Sequence, residues 1–166
     1  MRNVGIHAAM TLAEIGPVSD VKAFFDLVVS LLEDGVRGSK YFFVSDKLYK
    51  RSLAYNDLYK VKEELNSIET EFSSIHSISI NWLLVGIDDE STRLDLSKKY
   101  LSEVFQRLFK AFNEVLECTE AYYQSFKEYI PIRIGFTDAP YYIDDINRPS
   151  EQYDALGPED LPFWLR

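Results

Sequence analysis

The sequence predicts an α/β (α+β) domain: a mixed β-sheet of about four strands packed by three helices, followed by an irregular acidic, aromatic C-terminal tail. Three observations lead there. Apolar residues alternate with polar ones near both ends of the chain body, the period of a strand. Three segments between them repeat at helical spacing. The last thirty residues, 137–166, differ in composition from everything before them.

Val4, Ile6, Ala8 and Met10 alternate with Asn3, Gly5, His7 and Ala9, giving a first strand. Gly16-Pro17 breaks the chain, and Ser19 or Asp20 is placed to cap the helix that follows. In that helix Val21, Phe24, Phe25, Val28, Leu31 and Leu32 share a face, while Leu27 and Val29 widen it. Asp34-Gly35 ends it, with Gly35 free to adopt a left-handed conformation. Tyr41-Phe42-Phe43-Val44 reads as a short strand.

Asn56 is placed to cap a second helix, in which Leu58, Val61, Leu65, Ile68, Phe72 and Ile75 form a narrow seam. Ile78, Ile80, Trp82 and Leu84 alternate with Ser77, Ser79, Asn81 and Leu83 as a half-buried strand, and residues 86–91 form its exit loop. The longest helix spans about 101–126, roughly 39 Å at 1.5 Å per residue. Its face runs from Leu101, Val104 and Phe105 through Leu108, Phe109 and Phe112 to Tyr122, Tyr123 and Phe126. Pro131 opens a last strand with Ile132, Ile134 and Phe136 inward and Arg133 outward.

At 166 residues and 46% hydrophobic content, residues 1–136 suffice for one α/β domain, with 137–166 as an extension packed on that domain or on a partner. A single cysteine excludes an intrachain disulfide and fits a reducing compartment. The first residues lack the apolar core of a secretory signal, and no stretch approaches the ~20 apolar residues of a spanning helix. A cytoplasmic protein is expected. The net charge of −9 makes nucleic acid and anionic membranes unfavourable partners and a cationic protein a favourable one.

Catalytic and metal chemistry find little support. His7 and His76 have no cysteine or carboxylate nearby at a metal-ligand spacing. Cys118 lies mid-helix, where no helix N-terminus lowers its pKa, and reads as a core residue. Asp88-Asp89-Glu90 with Asp95, and Asp144-Asp145, lack the alternate spacing and glycine of a calcium loop and read first as solvated turns. No phosphate loop, nucleophile elbow or zinc-protease motif occurs, so no catalytic residue, metal or cofactor is expected.

The tail is the most distinctive segment. From Asp138 on it carries seven acids against Arg148 and Arg166, a net of −5, together with Tyr141, Tyr142, Tyr153, Phe163 and Trp164. Acids interleaved with rings suit an interface with a basic protein, since charge steers the encounter and rings anchor it. Such a tail packs on its own domain, on a second copy or on a partner.

Val4-Gly5-Ile6, Glu14-Ile15-Gly16-Pro17, Phe24-Phe25 and Leu31-Leu32-Glu33 resemble the start of the immunity protein 70 family. Gly38-Ser39-Lys40-Tyr41-Phe42, Leu48-Tyr49, Leu53-Ala54-Tyr55-Asn56-Asp57 and Glu63-Glu64-Leu65 are similar in order and spacing, as are the long helix and Ile132-Arg133-Ile134. The resemblance covers about residues 4–136, and the tail departs from it. It implies a bacterial antitoxin, a non-enzymatic cytoplasmic inhibitor of one cognate toxin domain encoded beside it. Because the shared motifs are packing and capping residues, no functional residue is carried over.

The expected partner is thus the C-terminal domain of a basic toxin, a nuclease, whose active site is covered. The expected contact residues are Asp138, Tyr141, Tyr142, Asp144 and Asp145, with Asp88, Asp89 and Glu90 as a second patch. The rival readings are a self-associating structural or regulatory domain whose tail docks on a twin in a homodimer, and a small hydrolase built on His7 or Cys118.

Overall fold

The computed structural model describes residues 2–8, 11–88, 90–138 and 161–165. β1 (Asn3–His7) is the middle of a three-stranded sheet, flanked by β2 (Leu12–Pro17) and β3 (Arg133–Phe136), with both pairings antiparallel. The expected mixed sheet of four strands is therefore corrected to an all-antiparallel sheet of three. β1 ends at His7, Ala8 N–H donates to the Thr11 carbonyl, and the chain returns at once as β2. Gly16-Pro17 closes β2 on the outer edge of the sheet, where a missing N–H breaks no ladder. A Cβ at Gly5 would lie 2.8 Å from the Ala13 carbonyl oxygen, so the close approach of β2 to β1 requires glycine there.

α1 (Val18–Leu27) starts with Pro17 at its N-cap position, not with a Ser19 or Asp20 cap, and widens into a π-helical turn, Val28–Leu32. Asp34 and Gly35 both take positive φ after it, and Gly35 N–H donates to the Val29 carbonyl. Tyr41-Phe42-Phe43-Val44 enters a second π-helical segment, Phe42–Leu48, instead of a strand. A short apolar run cannot separate the two forms. The outcome is set by distant carboxylates: Glu64 accepts from Val44 N–H (2.8 Å), and Glu33 accepts from Lys40 and Tyr41 N–H (3.1 and 2.7 Å). Both satisfy N–H groups at and just before the segment's start.

α2 (Leu58–Phe72) follows a 3-10 turn, Tyr55–Asp57, in which the Asp57 carboxylate accepts from Ala54 N–H at 2.7 Å; Asp57, not Asn56, stands at the N-cap position of α2, and its side chain makes no cap hydrogen bond to that helix. Its seam Leu58, Val61, Leu65, Ile68 and Phe72 is buried as the spacing predicts. The long helix is interrupted at Phe105 (φ −97°, ψ 15°) into α3 (Leu101–Val104) and α4 (Gln106–Phe126). The core gathers on Phe24, whose ring meets Phe25, Phe72, Phe105 and Phe109 edge-on at 5.3–5.9 Å. Such edge-to-face pairs add to simple burial. Ile132, Ile134, Val4 and Ile6 supply the core-facing residues of the sheet.

Two polar residues are buried against expectation. Arg133, read as outward, and His7, on the polar phase of β1, are cross-strand partners on the same face. A Cβ at Gly135 would come within 2.7 Å of Arg133 Nη1 and 3.1 Å of His7 Nε2. Burial, and next the Arg133 charge, lower the His7 pKa to about 4. Cys118 is exposed on α4, not in the core.

Candidate partner-binding surface

Between α2 and α3 the chain makes a long loop, residues 76–100, whose feet are closed by an antiparallel bridge between His76 and Tyr100. The feet are clamped further. Leu101 N–H donates to the Ile75 carbonyl, Ser77 N–H donates to the Lys99 carbonyl, and the Ser77 hydroxyl donates to the Lys98 carbonyl. A loop of this length stays ordered only if its own side chains pack. Here Ile87 is buried, Trp82 leans on Phe105 at 6.2 Å, and Ile80, Leu94 and Leu96 pack partly on the core.

Its far side is tied to α1. The buried Asp20 carboxylate accepts from the Thr92 hydroxyl (2.7 Å) and from Arg93 N–H (2.9 Å). The Arg93 guanidinium reaches on to Glu14 on β2. Asp20 was expected as a helix cap, and the structure gives its carboxylate to the loop instead. Asp20→Ala is expected to cost about 2 kcal/mol, leaving two donors without their acceptor. It should also speed amide hydrogen exchange at residues 90–96. Unchanged exchange there would show that Asp20 does not hold the loop.

The segment expected as a half-buried strand lies in this loop and is a 3-10 turn, Ser77–Ser79, followed by turns. No described strand lies beside it for pairing, since β1 holds the centre of the sheet and β2 and β3 its edges. Its alternation still has meaning: Ile80 and Trp82 turn inward. The outward residues are the surprise. Ile78, Leu83 and Leu84 are 93%, 80% and 83% exposed, a ridge of three aliphatic side chains on a loop held at both feet. An open groove lined by Ile78, Ile80, Trp82, Leu83, Ile87 and Asp88 runs beside it.

Of the contact residues expected from sequence, Asp88 and Glu90 are exposed on the shoulder of this ridge, where the Asp88 carboxylate accepts from Glu90 N–H at 3.0 Å. Asp138 is exposed at the other end of the chain body, just past β3. Arg2 binds its carboxylate with a shortest contact of 2.7 Å and holds it below the usual carboxylate range. The two described patches thus stand on different elements. Asp89, Tyr141, Tyr142, Asp144 and Asp145 lie outside the described residues. The end of the tail returns to its own domain: Trp164 is buried, its indole N–H donates to the Tyr49 carbonyl, and its ring lies 5.7 Å from Tyr49 and 6.4 Å from Phe25.

On this loop the sequence reading names Asp88 and Glu90 as contacts and does not name Ile78, Leu83 or Leu84 among them. The available signal was the pair Leu83-Leu84, which breaks the alternation just ahead of Gly86, a positive-φ turn residue. Among the described residues no cluster of three metal-ligating side chains occurs, and no helix is long and apolar enough to cross a membrane.

The family model for immunity protein 70 matches residues 6–125, well over half of the chain. No curated protein and no solved structure matches.

Proposed function

The chain belongs to the immunity protein 70 family, and on that premise we propose that it neutralises one cognate bacterial toxin domain by covering its active site. Immunity proteins are toxin inhibitors, not enzymes, and the match over residues 6–125 is the observation that carries the reading. The hydrolase alternative loses its candidates as well. His7 is buried beside Arg133, and burial first and the arginine charge second oppose the protonation a general base needs, while Cys118 is exposed on a helix flank.

The toxin we propose is a cationic nuclease of the polymorphic or contact-dependent inhibition kind, met in the cytoplasm. A net charge of −9 favours fast encounter with a basic domain, and carboxylates stand in for the phosphates of its substrate. The tail residues Asp138, Tyr141, Tyr142, Asp144 and Asp145, and the loop acids Asp88, Asp89 and Glu90, are the proposed contacts. Covering an active site tightly calls for about 1,600 Å² of interface, more than one such patch supplies.

The test mixes the purified protein with the C-terminal domain of the toxin encoded beside it. A one-to-one complex of nanomolar affinity and loss of the toxin's activity are expected; no binding at micromolar concentration overturns the reading. Because Trp164 is part of the core, a chain stopped at Phe136 would lose stability along with the tail. The tail is better tested in the full chain by Tyr141→Ala with Tyr142→Ala, expected to weaken the complex.

A further inference from the structure

We infer that the ridge of Ile78, Leu83 and Leu84 is the centre of the docking surface, and that it seats in an apolar, cation-rimmed cleft of the toxin. This rests on the toxin-neutralising reading and adds to it the surface and the chemistry of the partner. Scattered exposed leucines need no explanation, but Ile78 and Leu83 wall the same groove and, with Leu84 next in the chain, stand 80–93% exposed on one anchored loop. The anchoring matters as much as the exposure. Ser77, the His76–Tyr100 bridge, Asp20 and Trp82 hold the loop on the body, so little ordering is left to be done on binding.

Charge selects the occupant. From residue 77 to 91 the loop carries Asp88, Asp89 and Glu90 and no base. Its bases lie toward the feet: Arg93 pairs with Glu14, and Lys98 and Lys99 line a second groove on the Ile78 side, Lys99 over the Tyr100 ring, so the acids stand with the Leu83–Leu84 end of the ridge. A ridge shouldered by acids, on a chain of net −9, matches an apolar cleft rimmed by lysine or arginine. A second copy would set two acidic shoulders against each other, which disfavours self-pairing through this face.

The experiment measures binding of the neighbouring gene's toxin domain to full-length protein and to two variants. Leu83→Asp with Leu84→Asp should weaken the complex at least ~30-fold, the scale of losing an interface anchor, with the melting temperature unchanged because the side chains are solvent-exposed. If the aspartates lower the melting temperature, Leu83→Ser with Leu84→Ser carries the same test. Asp88→Lys with Glu90→Lys should slow association about 10-fold at low salt and flatten its salt dependence. A wild-type chain that binds while both variants bind equally well overturns the ridge and leaves the toxin-neutralising reading standing. A wild-type chain that does not bind removes that reading and the ridge with it. A wild-type dimer made monomeric by the ridge variant, with toxin binding retained, assigns the face to a second copy and overturns the inference.

Discussion

Glu33→Ala is expected to lower the stability of the protein by about 3–4 kcal/mol, since each buried donor left without an acceptor costs roughly 1–3 kcal/mol and such losses add incompletely. The Glu33 carboxylate is buried where the π-helical turn Val28–Leu32 ends and organises the next dozen residues. One oxygen accepts from Lys40 and Tyr41 N–H, the other from Gly38 N–H (3.2 Å) and the Ser45 hydroxyl (2.7 Å). Gly38 meets it at φ 79°, with space for a Cβ closed by Asp46 at 3.0 Å.

That loop leads into Phe42–Leu48, where Asp46 pairs with Lys50 and Arg51 and Lys47 pairs with Asp57. It also supports Tyr49, which receives Trp164 from the tail and the Arg37 guanidinium on its ring. Loss of one carboxylate therefore loosens the second π-helical segment and the seat of Trp164 together. Glu33→Gln keeps one acceptor oxygen but turns an NH₂ toward the remaining donors, so about half the loss is expected. Urea unfolding reads both variants. An alanine variant within about 1 kcal/mol of wild type would show that water replaces the carboxylate at little cost.

Stability should also fall on acidification, in a window set by His7. Its folded pKa is about 4 against 6.5 for the free side chain, so below pH 6.5 the unfolded chain takes up a proton that the folded chain refuses. The contribution is fully present above pH 6.5, declines as pH falls toward 4, and is then constant. A gap of this size corresponds to about 3 kcal/mol. Glu64 works in the opposite direction, because burial raises its carboxyl above the ordinary range. Comparison with His7→Gln cancels Glu64 and the other groups common to both chains. The difference in unfolding free energy between wild type and variant should change by about 3 kcal/mol between pH 7 and pH 4. A difference that does not vary with pH would place the His7 proton in solvent.

The acidic half of the candidate surface was legible in the sequence, since Asp88, Asp89 and Glu90 are a charge run that needs no fold to be seen. The apolar half was not. Ile78, Ile80, Trp82 and Leu84 repeat with period two, which assigns residues to two sides but not to a sheet. Ile80 and Trp82 turn inward as that period requires, and Ile78 and Leu84 are left in solvent with Leu83.

Elements whose signal is local could be read from the residues alone. α2 and α4 were readable because many turns of apolar spacing identify a buried face, and β3 because Ile132 and Ile134 alternate after Pro131. The family, the charge and the absence of a recognised catalytic motif were readable in the same way. Tertiary structure alone decided what depends on a neighbour. A strand exists only where another strand accepts its N–H groups, so Leu12–Pro17 became β2 beside β1 while the segment around Ile80 found no partner. Tyr41-Phe42-Phe43-Val44 became π-helical as carboxylates from Glu33 and Glu64 met its N–H groups, and His7 was buried because Gly135 leaves room for it across the sheet. Local periodicity reports which residues face the same way; long-range hydrogen bonding and packing decide what they face.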